Sequence, residues 1–169
     1  MYEESGDSRR SSWYQKRAVV CQLNEPDEFN MENFVGVMQD MSADELLLFC
    51  LYVLRYIVEQ GCFGEDDFYK DWSREHYEVA EYVLDEAMQQ FADDESSTVT
   101  LRSFFLFLKA VYFKRTRRFV LAENVLNQYL ALPESEGDEK YLPADVIYAL
   151  LGECSLHRMD ETQAKACFL

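Results

Sequence analysis

Ala149-Leu150-Leu151-Gly152-Glu153-Cys154-Ser155-Leu156, read with Ala164 and Phe168 that follow it, decides the fold of this chain. Gly152 stands 42 residues after Ala110, and Ala164 stands 42 residues after Ala122. Ala122 in turn stands 42 residues after Ala80. The neighbours repeat as well. Tyr77, Phe119 and Glu161 precede the three alanines by three positions, and Leu84, Leu126 and Phe168 follow them by four. A fixed period between 20 and 50 residues marks a stack of similar supersecondary units. Such units bury their apolar faces only against one another. Small residues at Gly152 and Ala164 predict two helices approaching closely, where larger side chains would clash. Stacks of this kind present extended surfaces to other macromolecules, so the period points to a scaffold rather than a catalyst.

Working outward, helices account for most of the chain. Leu101, Phe104, Phe105, Phe107, Leu108, Val111, Tyr112 and Phe113 lie in a helix expected over about 99–114. A tight turn at Arg115–Arg118 leads to a partner helix over 119–132. Asp93–Ser97 and Pro133–Lys140 read as acidic linkers. Pro143 suits a first helical turn, opening a helix that reaches His157. Asp160 with Gln163 resembles a capping pair for the last helix. That helix is still running at Leu169, with no Gly, Pro or cap to end it, so we expect the natural polypeptide to continue.

Upstream, Tyr77, Ala80, Leu84, Ala87 and Phe91 form one stripe of an amphipathic helix capped by Ser73. A loop is expected over 61–73. Ser42-Ala43-Asp44-Glu45 reads as a capping box, in which the serine accepts from a first-turn amide and the glutamate reaches back. The run Leu46 to Val58 that follows is apolar nearly all round, so its helix should be buried on several sides, with Gly61 as its stop. Phe34–Met38 is a candidate for another helical turn or two. Residues 1–30 are polar and mixed in charge, and read as an arm, partly ordered or docked on a helical repeat domain over 31–169.

Composition agrees with an all-α reading. Only 6 Gly and 3 Pro punctuate the 169 residues, which favours long helices over a strand-rich fold. The 12 Phe and 11 Tyr supply more buried-type surface than a short solenoid needs, and we expect a symmetric homodimer through the N-terminal helices. A net charge of −16 disfavours nonspecific binding to nucleic acid or an anionic membrane. No apolar run is long enough to cross a membrane as a helix. The five cysteines, Cys21, Cys50, Cys62, Cys154 and Cys167, are odd in number and none forms a C-x-x-C pair. Reduced thiols in the cytoplasm or nucleus fit that pattern best.

Leu151, Gly152, Ala164 and Phe168 resemble the tetratricopeptide repeat (TPR), in which a leucine and a small residue open the first helix's packing face, and an alanine and an aromatic follow after the turn. A second copy matches at Ala110, Phe119, Ala122 and Leu126. It departs from the pattern at Lys109, where a leucine is expected, and in its arginine-rich turn. A third, partial copy is Tyr77, Ala80, Leu84 and Ala87. The resemblance spans residues 43–169, and its specific motifs lie in the last third. TPR units run about 34 residues, so the extra residues fall in the linkers near 93–98 and 133–141. A narrower resemblance joins this repeat, its expanded linker and Leu142-Pro143-Ala144-Asp145 to the N-terminal region of the subunit-seven family of the anaphase-promoting complex, a cell-cycle ubiquitin ligase. It implies a TPR superhelix that homodimerises, stacks on sister TPR subunits and has no active site. An unrelated TPR adaptor, holding partner peptides in a groove, is the alternative, and a helical-fold enzyme is the third reading.

Chemistry-bearing patterns are sparse. His76 and His157 have no metal-ligand spacing with cysteine or histidine. No glycine-rich phosphate loop is present, and Asp66, Asp67 and Asp71 lack the spacing of a calcium loop. Neither cofactor nor metal is therefore expected. Cys154 and Cys167 fall on packing faces, where a structural thiol is expected rather than a nucleophile. The face of the 145–157 helix shows Val146, Ala149, Leu150 and Glu153, without the Lys and Asn clamp that holds a chaperone's C-terminal carboxylate. The one basic spot is Lys109, Lys114, Arg115, Arg117 and Arg118, with Arg102 nearby. It either receives an acidic partner segment or phosphate, or pairs with the chain's own acids at 93–95 and 134–139.

Overall fold

The computed structural model describes residues 13–24, 29–60, 74–94, 96–158 and 161–168, apart from the side chains at 24, 60 and 161–164. Every regular element among them is helical; the only β-type pairing is an isolated bridge between Ser135 and Asp138. The fold is all-α. Two compact units divide the chain, Met1–Ala87 and Met88–Leu169, and the division falls inside one helix.

The first unit opens with α1 over 13–21 and a 3-10 turn at Gln22–Asn24. Val20 and Leu23 there are fully buried, so this part of the expected arm is a packed helix. Asn30 caps α2 (Met31–Gln39) by accepting from the Glu32 and Asn33 amides, and Phe34 and Met38 one turn apart point inward. The Phe34 ring lies 5.9 Å from that of Phe49 on α3 (Ala43–Gln60). Ser42 Oγ accepts from the Glu45 amide at 3.4 Å, but the Glu45 carboxylate faces Lys16 on α1 instead of reaching back. Along α3, Leu47, Phe49, Cys50, Leu51, Val53, Leu54, Ile57 and Val58 are buried, while Leu48 and Tyr52 form a narrow exposed strip. Each large side chain so buried contributes roughly 1.5–3 kcal/mol, which is why this helix anchors the unit. Then α4 (Arg74–Asp93) buries Val79, Ala80, Val83, Leu84 and Ala87 on one stripe. Gly61, Cys62, Asp66, Asp67, Asp71 and Ser73 lie outside the described residues.

The second unit starts with the last turn of α4. It continues through α5 (Val99–Arg115), α6 (Phe119–Ala131), α7 (Ala144–His157) and α8 (Glu161–Phe168). From α5 on, each helix packs on the next in sequence. One core cluster gathers Ala110, Ala122, Val125, Leu126, Tyr129, Ile147, Leu151 and Cys154. Thr98 caps α5 by accepting from the Leu101 amide. Pro143 is the N-cap of α7, with ψ 156, rather than its first helical residue, because α7 begins at Ala144. The α5 to α6 turn is a Schellman-type stop: the Arg118 amide donates to Phe113 O at 2.8 Å, and Arg117 takes φ 59. That left-handed position usually goes to glycine, since a Cβ there costs roughly 1–2 kcal/mol. The Asp160 and Gln163 pair expected at α8 lies outside the described residues and side chains.

Candidate interaction surfaces

The residues expected to pack the repeats lie on successive helices. Ala80 on α4, Ala110 on α5 and Ala122 on α6 are buried, as are Leu84, Leu126 and Leu151. Tyr77 is half-buried. Phe119 opens α6 and stacks flat on His157 at the end of α7, with ring centroids 4.8 Å apart. Gly152 meets the tip of the Phe168 ring: a Cβ built there would stand 2.5 Å from Phe168 Cζ. The close approach at Gly152 is thus a ring from α8 seated on α7. Ala164 lies in α8, and its side chain is outside the described residues.

Two polar networks tie this packing together. Glu123 on α6 is buried and accepts from Ser155 Oγ at 3.2 Å and from Arg158 just beyond α7. Tyr129 Oη accepts from the Leu142 amide at 2.6 Å and donates to Leu142 O at 2.7 Å. Ser103, also buried, accepts from the Tyr141 amide at 2.8 Å. Burial pushes the Tyr129 phenol above its ordinary range.

The linker at 133–140 is a structural clip. Asp138 accepts from the Val99 and Thr100 amides at 2.9 and 3.2 Å, and Thr100 Oγ1 donates to Glu139 O. A carboxylate at a helix N-terminus satisfies open amides and faces the positive end of the helix dipole. Lys140 Nζ in turn donates to Leu130 O near the end of α6. Sequence reasoning missed this clip, because Asp138 acts on a helix that began 39 residues earlier.

Four of the six basic residues read as one spot turn to different local partners. Arg102 donates to Asp94 O at 2.6 Å and to Ser97 O, closing the end of α4, and lies over the Phe91 ring. Lys109 sits near the Phe105 and Phe113 rings, with Nζ 3.2 Å from Met88 Sδ. Lys114 pairs with Glu153 on α7. Arg118 lies over the Tyr112 and Phe113 rings and donates to Thr116 Oγ1. Arg115 is half-buried, and Arg117 is exposed at the apex of the turn. Of the expected acidic linkers, the one after α4 meets this group through main-chain carbonyls of Asp94 and Ser97 held by Arg102. The Asp94 carboxylate is taken by Ser96 and Ser97, whose hydrogen bonds hold it below the usual range.

Apolar side chains line two grooves, and others are exposed singly. On the first unit, Trp13, Leu48 and Tyr52 line a groove of about 330 Å³ with Lys16 and Arg17, and Tyr14 is exposed beside it. On the second, Met88, Phe91, Phe105, Leu106 and Lys109 line one of about 310 Å³. Val146, Tyr148, Leu156 and Phe168 are exposed along α7 and α8.

Two of the described thiols are held away from reactivity. Cys154 is fully buried, and burial pushes its thiol up to about 11, away from the reactive thiolate. Cys50 is pushed up to about 12, by burial and then by Glu86. Among the described residues no cluster of His, Cys, Asp and Glu could hold a metal ion. No helix among them is long and apolar enough to cross a membrane. No family model, curated protein or solved structure matches the chain.

Proposed function

We propose that this protein is a protein–protein interaction scaffold built from TPR-like helix pairs. The observation that carries the reading is the repeat of helix boundaries. α5 ends at Arg115 and α7 at His157, 42 residues apart; α6 begins at Phe119 and α8 at Glu161, again 42 apart. The small residues Ala110 and Gly152 fall at the same place in the first helix of each pair, both buried. Helix pairs that recur in this way stack into a TPR superhelix, which offers a long surface and needs no reacting group.

Within that class we place it with the structural TPR subunits of the anaphase-promoting complex, in the manner of subunit seven. It would homodimerise, stack on other TPR subunits, and serve ubiquitin conjugation in the mitotic cell cycle, in the cytoplasm or nucleus. The exposed Trp13, Tyr14, Leu48 and Tyr52 on the first unit supply an apolar face for the dimer. A second reading is a TPR adaptor unrelated to that complex. The groove beside Phe91 and Phe105 favours it, since it has room for one apolar anchor of a partner peptide.

Sedimentation equilibrium at tens of micromolar, paired with affinity capture and mass spectrometry, separates these readings. A dimer that recovers ubiquitin-ligase TPR subunits supports the scaffold subunit. A monomer that recovers other partners favours the adaptor. Turnover of a substrate by the purified chain would overturn both.

A further inference from the structure

Two serines of this chain stand three residues before an acid, and the fold treats them in opposite ways. Ser42 precedes Glu45, and Ser135 precedes Asp138. Ser42 caps α3: its hydroxyl accepts from the Glu45 amide, and Asp44 and Glu45 are wound into the first helical turn. Ser135 belongs to no helix. It is exposed in the α6 to α7 connection, with Glu136 at +1, Asp138 at +3 and Glu139 at +4. Glu136 and Glu139 are exposed too. Gly137, at φ 85, turns the chain so that the Asp138 amide donates to Ser135 O at 3.0 Å.

We propose that Ser135 is a phosphorylation site for a serine kinase that reads acidic residues C-terminal to its acceptor, and that the phosphate releases Asp138 from the first turn of α5. Ser135 Oγ forms a bond to the γ-phosphorus of a nucleoside triphosphate while the bond from that phosphorus to its bridging oxygen breaks. The diphosphate leaves, and the hydroxyl proton passes to the kinase's base.

A kinase that selects acids does so with its own basic side chains, reaching along an opened substrate chain. The connection can open locally, because it is held by a few hydrogen bonds and not by a helix. Ser42 is presented with its acids only if the first turn of α3 unwinds, since Asp44 and Glu45 lie in that turn.

The effect on the clip follows from charge. A phosphoserine brings about −1.5 to −2 charges at neutral pH. Here they enter a turn already holding Glu134, Glu136, Asp138 and Glu139. Repulsion pushes Asp138 off the Val99 and Thr100 amides. Lys140, the cation of this connection, is drawn from Leu130 O toward the phosphate. Both ends of the clip therefore loosen together.

The test uses the whole chain, a purified acidophilic serine kinase and ATP, with site-resolved mass spectrometry and hydrogen exchange. Phosphate should appear on Ser135 well ahead of Ser42. S135A should remove it, and the E136Q/E139Q double variant should slow it. In the phosphorylated protein the first-turn amides of α5 should exchange about tenfold faster, matching loss of a charge-assisted hydrogen bond, with those of α7 unchanged. Phosphate on Ser42 in preference, or none on Ser135, overturns the site. Phosphate on Ser135 with unchanged α5 exchange overturns the release.

Discussion

Tyr129→Phe removes one oxygen atom and is expected to cost more stability than its size suggests. The ring is fully buried in the second unit's core and would stay in place. The hydroxyl alone serves both the amide and the carbonyl of Leu142, at 2.6 and 2.7 Å. Without it, a donor and an acceptor in a half-buried segment lose their partner. Each such loss costs about 1–3 kcal/mol when fully buried, so in this half-buried segment we expect the lower part of the sum, about 2–4 kcal/mol in total. Urea unfolding of wild type and variant measures the difference, with the slope checked for a change in cooperativity. Ser103→Ala should also destabilise, since it strips the neighbouring Tyr141 amide. The double variant should fall short of additivity, because both residues hold one short segment. A loss below about 0.5 kcal/mol for Tyr129→Phe, the range of ordinary surface changes, would refute the view that these bonds fasten the connection.

Gly152→Leu should displace the Phe168 ring and cost roughly 1–3 kcal/mol, with faster amide exchange in α8 and unchanged exchange in α5; unchanged α8 exchange would refute the seating. Arg117→Gly should raise thermal stability by up to about 1 kcal/mol, since it relieves the left-handed φ of 59, and a loss of stability would contradict this turn geometry. Alkaline pH should unfold the protein in a defined window. The folded thiols of Cys50 and Cys154 lie at about 12 and about 11, above their ordinary 9.0, so the folded state resists losing those protons. Their contribution is fully present below about pH 9 and is lost as pH rises through the folded values, so urea midpoints should drop between about pH 9 and 12, and less in a C50A/C154A variant.

The helices were legible where apolar spacing and small residues repeat. Phe34 and Met38, one turn apart, mark α2, and the 42-residue columns at Ala80, Ala110, Ala122 and Gly152 fall on buried helical positions. Local caps were partly legible: Ser42 accepts as expected, but Glu45 answers Lys16, a partner that a four-residue pattern cannot reveal. Helix α1 was read within a polar arm because its inward side shows only Val20, with Leu23 in the turn beyond, among many charges. The basic cluster illustrates the same limit. Side chains close in sequence leave a helix in different directions, so Arg102 reaches carbonyls after α4 while Lys114 reaches Glu153 on α7. Asp138 reads from the sequence only as part of an acidic linker, and only the packed chain brings it to α5.

The Asp138 clip also bears on how the chain is made. The hydrogen bonds that α5 donates to Asp138 and Glu139, that the Tyr141 amide donates to Ser103, and that Lys114 donates to Glu153 all join residues 38 or 39 apart. During translation α5 therefore emerges from the ribosome with two first-turn amides open. At about 5–20 residues per second, some seconds pass before the capping carboxylate follows. These two amides are satisfied by a segment made after the helix itself. Until residue 138 follows, the Val99 and Thr100 amides stay open although Thr98 already caps the Leu101 amide, and the growing chain meets chaperones or proteases at that stage.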